Sequence, residues 1–234
     1  MSELNDIIYG VHPVAEALKN PKRKIYSLKA SKNAADRLAE EIAARGITPE
    51  IVHPNVLDRA LGADAVHQGL LMEAKGLSQL RLDQIEKSGI VVMLDQVTDP
   101  HNVGAILRTC AAFNVTALVA TARHSPEASA VLFKSASGAY EHVPFVKVTN
   151  LSRAMAELKD YGFRIAGLDS EAPENISEID RTPPIAIMLG AEGKGLRQLT
   201  RDSCDHLVRL EMNGPIKSLN VSNACAVTLY ALTR

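Results

Sequence analysis

The stretch that decides the fold is residues 185–196, which read IAIMLGAEGKGL. A run of branched apolar residues leads into three glycines within six residues. This pattern predicts a buried strand followed by a tight turn, where backbone can approach a ligand closely. A second turn of this kind lies in residues 210–224, LEMNGPIKSLNVSNA, and leads into an apolar-rich segment of helical length, 219–232. Neither turn is a Walker loop or a dinucleotide fingerprint, because Lys194 is followed by Gly195 and the glycine spacing differs.

A third block lies upstream, where the apolar run 90–94 is followed by a polar turn. Asn102 is predicted to cap a helix over 103–113, because its side chain can accept a backbone N–H at a helix start. Asn114 is predicted to close that helix, and Arg108 lies within it.

Apolar runs alternate with segments of helical spacing from residue 89 onward. The runs are 90–94, 117–120, 143–148, 163–168, 185–189 and 207–212. This alternation predicts an α/β fold with a mostly parallel sheet covered by helices on both faces. Ligands bind such sheets at the carboxyl ends of the strands, where both glycine-rich turns fall. Residues 1–74 predict a separate small α/β domain, and 75–88 a polar linker with a short helix.

Together the three blocks resemble the SpoU family of RNA ribose 2′-O-methyltransferases, within the SPOUT superfamily. The motifs are NVGAILRT at 102–109, LGAEGKGL at 189–196, and the segment 212–222 with SLN at 218–220. The start of the chain, IYGVHPVAEAL at 8–18, resembles the RNA-recognition domain of that family, so the resemblance covers the whole chain. One departure is Glu211, which stands where the family usually has proline and adds a charge beside Leu210.

The resemblance implies a fold rarer than the alternation alone predicts. It implies an L30e-like RNA substrate-binding domain at 1–74, a linker at 75–88 and a SpoU methyltransferase domain at 89–234. The C-terminal segment of that domain would thread a loop to form a trefoil knot, an exception to the rule that chains are unknotted.

The resemblance also implies an activity: S-adenosyl-L-methionine-dependent methylation of a ribose 2′-hydroxyl, above all of a guanosine in 23S rRNA. The expected partners are rRNA in the assembling large subunit and a second copy of the chain, since a homodimer completes the site in this family. The matching cofactor-binding positions are Gly190, Leu210 and Leu219. From the residues alone, the two leucines could equally be ordinary core side chains.

The matching catalytic positions are Arg108, Asn102, Glu192, Ser218 and Asn220. Arg108 could activate the hydroxyl, anchor a phosphate or stabilise the developing alkoxide, and the sequence leaves these roles open. Because arginine keeps its proton at ordinary pH, the two electrostatic roles are favoured. Glu192 is expected to orient Arg108 or the loop through a charge-assisted hydrogen bond, and Ser218 to cap the C-terminal helix. A surface salt bridge is the plainer alternative for Arg108.

Charge gives a mixed indication about nucleic acid. With 26 basic and 27 acidic residues the net charge is −1, which argues against general nucleic-acid binding. Residues 19–32, however, hold six basic side chains and no acid. Alone this run would be a solvated surface, but beside the motifs we predict that it binds RNA phosphates, through Lys22, Arg23 and Lys24 in particular.

Several classes are excluded or disfavoured by composition. Cys110, Cys204 and Cys225 are odd in number and widely spaced, which favours free thiols of a cytoplasmic protein over disulfides. The histidines lack metal-ligand spacing, so no metal is expected. No apolar run is long enough for a membrane span, and the polar residues 1–6 are no signal peptide.

Two alternatives to the rRNA enzyme remain. One is a tRNA ribose 2′-O-methyltransferase, against which the L30e-like domain argues. The other is a non-catalytic RNA-binding ribosome-assembly factor, which would have no chemical need for all five catalytic residues.

Overall fold

The computed structural model describes residues 5–216 and 218–234. By their internal contacts, the residues form two units. The first contains the chain up to Ser78 together with 127–142, and the second contains 79–126 and 143–234. Residues 127–142 fall within the predicted domain 89–234, and no local pattern in them indicates that they would join the first unit.

The first unit is a small α/β structure with a four-stranded mixed sheet. The strand order is β1-β4-β2-β3, in which β4 is antiparallel to β1 and β2, and β2 is parallel to β3. Its elements are β1 (Asn5–Tyr9), α1 (Val11–Lys19), β2 (Ile25–Ala30), α2 (Lys32–Arg37), α3 (Ala39–Arg45), β3 (Glu50–Ile51), α4 (Pro54–Leu61), β4 (Leu70–Lys75) and, from the exchanged segment, α6 (Ala130–Ala136). The helices α2 and α3 are separated only by Leu38, where the backbone leaves helical geometry.

The second unit contains a seven-stranded sheet in which every paired strand is parallel to its neighbours. The strand order is β7-β6-β5-β10-β8-β11-β9. Its elements are β5 (Ile90–Asp95), α5 (Pro100–Ala112), β6 (Ala117–Thr121), β7 (Phe145–Val148), α7 (Leu151–Asp160), β8 (Arg164–Leu168), β9 (Glu174–Asn175), β10 (Ile185–Gly190), α8 (Gln198–Asp202), β11 (His206–Arg209) and α9 (Val221–Leu232). The predicted α/β class with a mostly parallel sheet is confirmed; the knot and the L30e-like domain stay predictions.

Burial on both faces explains why the central strands read as continuous apolar runs. All residues of β5 and β6 are buried. One face packs Val91, Met93 and Met188 against α7 through Met155 and Leu158. The opposite side is covered by α5 and α9, which pack against each other. A strand that is buried on both faces shows no alternation of apolar and polar residues. These strands were therefore predicted from the length of the apolar runs and from the turns that follow them.

The three cysteines differ in burial. Cys110 and Cys225 are buried and free, and Cys204 is partly buried and free. Burial raises the pKa of Cys204 to about 12. The described helices include none that is both long and apolar enough to cross a bilayer.

Candidate active site

A cavity of about 190 Å³ lies at the carboxyl ends of β8, β10 and β11. Both glycine-rich turns border it, as the rule for ligand sites in parallel sheets predicts. The three positions expected to bind the cofactor line this one cavity: Gly190, Leu210 and Leu219. Glu192 and Ser218 line it as well. We call this the motif cavity.

The turn that follows β10 folds back on itself. Ala191 and Gly195 form an isolated bridge, and the Gly195 N–H donates to the Ala191 carbonyl at 2.8 Å. A Cβ added to Gly190 would lie 2.2 Å from the Gly195 carbonyl carbon. Glycine is therefore required at 190 because the crossing backbone leaves no room for a side chain. Gly193 and Gly195 have φ of +76° and +65°, the left-handed region that glycine favours.

A buried carboxylate anchors the end of this turn. Asp95, the last residue of β5, is fully buried and accepts from the Arg197 backbone N–H at 3.0 Å and from its Nε at 2.7 Å. Such charge-assisted bonds are short and strong. They tie the 190–197 turn to the neighbouring strand and fix one wall of the motif cavity.

Asn102 and Asn220 are brought together, although 118 residues separate them. The Asn220 Nδ2 donates to Asn102 Oδ1 at 3.1 Å, and Asn220 Oδ1 accepts from the Ser222 backbone N–H at 2.9 Å. Asn220 is thus the cap of α9, and the prediction that Ser218 caps it is wrong. A cap at Ser218 would require the helix to begin two residues earlier than it does.

The prediction that Asn102 caps the first motif helix is also wrong. The helix α5 begins at Pro100, and its cap is Asp99, whose side chain accepts from the His101 N–H at 3.0 Å. Proline is well suited to the first helical position, which moves the start upstream. Because Asn102 lies inside the first turn, its side chain is available to bind Asn220.

Arg108 stands apart from the motif cavity. It lies on the exposed side of α5 and is not among the residues that line the cavity. Within residues 5–216 and 218–234 no hydrogen bond or ion pair joins its side chain to another group, Glu192 included. In a single chain the motif cavity therefore gathers Gly190, Glu192, Leu210, Ser218 and Leu219. Asn102 and Asn220 bind each other but do not line it, and Arg108 lies apart from both groups.

Sequence reasoning missed one wall of the cavity, formed by Leu168, Asp169 and Ser170 after β8. Asp169 is mostly buried and forms an ion pair with Arg201. One feature of the sequence could have identified this wall. Residues 163–168 are a predicted strand, and the residues that follow parallel strands meet at one edge of the sheet. Asp169 and Glu192 are the charged residues that line the cavity within the described chain, so its charge is acidic.

The central arginine of the basic stretch is committed to internal pairing. Arg23, expected on an RNA-binding surface, is fully buried and forms ion pairs with Asp6 and Glu141. Its Nη1 also donates to the Lys75 carbonyl at 2.8 Å. The expectation that Arg23 contacts RNA is wrong, because its partners lie 17 and 118 residues away and no local pattern shows them.

The fold and the motif cavity define an α/β protein with a small-ligand site at the edge of a parallel sheet. Two family models cover it: the SpoU rRNA methylase family matches residues 89–230, and the RNA 2′-O ribose methyltransferase substrate-binding domain matches 7–80. The chain therefore belongs to the SpoU rRNA methylase family and is an RNA 2′-O-methyltransferase of that family, as the motifs indicated.

Full-length relatives carry a more specific name. A protein named 23S rRNA (guanosine-2′-O-)-methyltransferase RlmB from Vibrio vulnificus is 39% identical over 98% of this chain and 97% of its own length. A protein of the same name from Pasteurella multocida is 36% identical over 99% of this chain and 98% of its own.

Among solved structures, the SpoU methyltransferase AviRb from Streptomyces viridochromogenes, in complex with AdoMet, superposes with a TM-score of 0.82. It covers 97% of this chain and 89% of its own at 22% identity, a likeness of fold.

Proposed function

We propose that the protein transfers the methyl group of S-adenosylmethionine to the 2′-hydroxyl of a guanosine in 23S rRNA. The main support for this proposal is the motif cavity. Residues of the family motifs line it, including the three predicted cofactor-binding positions. The name shared by the full-length relatives supports the guanosine of 23S rRNA as substrate. Since rRNA is its substrate, we place its action in the cytoplasm, on the assembling large subunit.

The residues present fit this cofactor. Leu210, Met212 and Leu219 provide apolar surface for an adenine, and the turn around Gly190 provides backbone groups. The cofactor supplies a methyl group on a positively charged sulfur. Asp169 and Glu192 place carboxylates around the cavity, which suits a cation and disfavours a phosphate.

The chain must also hold the acceptor hydroxyl and accommodate its lost proton. Ser218 lines the cavity and offers a hydroxyl, while the Asn102–Asn220 pair fixes the start of α9 beside it. We assign these groups to positioning. The developing negative charge on the ribose oxygen needs a cation, and Arg108 is our choice for that role.

A homodimer explains how Arg108 reaches the reaction. In α9 the exposed positions Asn223, Val227 and Tyr230 form one stripe at helical spacing, with Val227 46% and Tyr230 52% exposed. Such apolar exposure on a helix marks an interaction surface. We propose that a second copy covers it and places its own Arg108 beside the first copy's motif cavity.

Mixed dimers test this arrangement. Arg108→Ala and Ser218→Ala should each be inactive as homodimers. Denatured and refolded together, they should recover about a quarter of wild-type activity, because half the dimers are mixed and each has one intact site. If Arg108 serves its own chain, every site in the mixture stays defective and no activity returns.

The substrate is tested separately. Ribose methylation should be mapped across rRNA and tRNA in a deletion strain, and a single 23S guanosine should lose its methyl group. Loss of a tRNA methyl group instead would support the tRNA alternative. Intact methylation everywhere, with purified protein that binds RNA but transfers no methyl group, would support the non-catalytic alternative.

Cofactor placement has its own test. Ala224→Leu adds bulk to a residue that lines the motif cavity, and Ala226→Leu adds the same bulk to α9 away from it. Calorimetry should show that the first variant loses S-adenosylmethionine binding and the second keeps it. Equal binding by both would contradict this placement.

A further inference from the structure

A second cavity lies at the same carboxyl edge of the seven-stranded sheet, beside β6 and β7. Its volume is about 250 Å³. Thr121, the last residue of β6, lines it together with Thr149 and Ser152 at the start of α7. None of the proposed catalytic or cofactor-binding residues lines it. We call it the cationic cavity.

Its charged residues are two arginines, Arg123 and Arg197, and His124 lies beside them in the lining. In the part of the chain that the structure describes, Arg123 and His124 are exposed and have no hydrogen bond or ion pair. Arg197 is held by Asp95 through its Nε. No acidic residue lines the cavity, so its field favours an anion, in contrast to the acidic motif cavity.

Hydroxyl and backbone donors complete the lining. The ten-residue helix α7 begins here, and helix N-termini attract anions. Thr121 is 6% exposed, and its Oγ1 has no hydrogen-bond partner among the described residues. A buried hydroxyl is nearly always paired, so the structure leaves an unpaired donor on a residue that lines the cavity.

We propose that the cationic cavity binds a phosphate of the RNA backbone close to the target nucleotide. The inference rests on the proposed function, because it needs RNA to cross this edge of the sheet. Neighbouring strands are about 4.8 Å apart, so the two cavities lie roughly 14 Å apart along the edge. A single strand of a few nucleotides spans that distance.

The link between the two cavities is Arg197. It lies two residues beyond Gly195 of the motif cavity and also lines the cationic cavity. Asp95 fixes both the backbone and the side chain of Arg197. The two cavities are therefore held at a fixed distance from each other. A phosphate at Arg123 and Arg197 would therefore set which ribose meets the methyl donor.

The test compares Arg123→Gln with Arg153→Gln, an exposed arginine of α7 that does not line the cavity. RNA binding is measured from 50 to 400 mM KCl. Losing one phosphate contact on single-stranded RNA should reduce the salt slope by about 0.7, which is about fivefold in affinity at 0.1 M salt. Arg153→Gln should keep the wild-type slope, and both variants should bind cofactor normally.

If Arg123→Gln and Arg153→Gln have equal slopes while the wild type methylates RNA, the cationic cavity is no phosphate site and the proposed function stands. If the wild type itself methylates no RNA, the proposed function fails first. The two failures are therefore distinguishable.

Two further measurements separate the origin of the phosphate and the role of the hydroxyl. Thr121→Val, which keeps the shape, should weaken RNA binding without lowering the melting temperature; unchanged binding would contradict the hydroxyl contact. Inorganic phosphate should compete weakly with RNA in the wild type and less in Arg123→Gln. If the protein binds inorganic phosphate but Arg123→Gln leaves RNA affinity unchanged, the cavity binds only free phosphate and the proposal is wrong.

Discussion

One arginine of the first unit and two arginines of the second lie in opposite environments. In the first unit, the most prominent arginine, Arg23, is fully buried against Asp6 and Glu141. In the second unit, Arg108 and Arg123 are exposed and form no ion pair within the described residues. The comparison shows that a dense basic run does not identify an RNA-binding surface. Cations that remain unpaired beside a site are the better candidates.

The strongest way to test this difference is to remove the buried cation. Arg23→Met should lower the free energy of unfolding by about 3–5 kcal/mol, because Asp6 and Glu141 remain buried without the cation that neutralises them. Urea denaturation measures this. The exposed Lys22→Met should change the free energy by at most about 0.5 kcal/mol. A small effect of Arg23→Met would show that the pair contributes no specific stability.

Removing the exposed cation of α5 should affect rate and not stability. Arg108→Ala should reduce single-turnover methylation at saturating cofactor by about a hundredfold or more. Arg108→Lys should retain part of the activity, since it keeps the charge but loses the planar fork.

Cofactor affinity should be unchanged in both Arg108 variants. Equally inactive variants that still bind RNA would indicate a geometry-specific proton transfer in place of charge stabilisation. Near-wild-type rates in both would make Arg108 a surface residue.

The exposed remainder of the basic stretch gives a smaller effect. Lys22 and Lys24 are exposed and have no ion pair among the described residues. If they contact RNA, replacing both by glutamine should reduce the salt slope by up to about 1.4. An unchanged slope would mean that neither Lys22 nor Lys24 contacts RNA, which would strengthen the contrast with Arg123 of the second unit.

The smallest effect concerns Glu16 of the first unit. Burial, the largest influence, would raise its pKa, but hydrogen bonds from Lys19 and His142 outweigh it, and the pKa lies below the ordinary 4.5. A carboxylate with a lowered pKa stabilises the fold above that value, and the contribution is lost as pH falls through the folded-state pKa. Glu16→Gln should therefore narrow the difference in melting temperature between pH 7 and pH 3.5.

The exposed partners of Glu16 keep this effect modest. If wild type and Glu16→Gln lose stability equally on acidification, the contacts of Glu16 with Lys19 and His142 do not contribute to the acid response.

The fold class was predictable because it depends on local sequence patterns. Runs such as 90–94 and 185–189 are buried on both faces, and strand length with glycine turns identified them without tertiary knowledge. The motif cavity was predictable for the same reason, since both turns follow strands whose carboxyl ends meet. The two cap assignments failed by only two or three residues. Proline at position 100 moved the start of α5 upstream. Asn220 caps α9 although serine is about as good a cap, because Asn220 is the residue directly before the helix.

Arg23, the segment 127–142 and the cationic cavity were not predictable. Arg23 finds Glu141 across 118 residues, and that pairing is part of what joins 127–142 to the first unit. Arg123 and Arg197 converge only because β6 and β10 lie on either side of β5 in the sheet.

By itself, then, the sequence determined the strands, the glycine turns and the family chemistry, because these depend on local periodicity and backbone freedom. The tertiary structure decided which cations are neutralised and which remain free. That outcome depends on distances between residues far apart in the chain, and the strength of an ion pair depends on distance and burial, neither of which a local pattern contains.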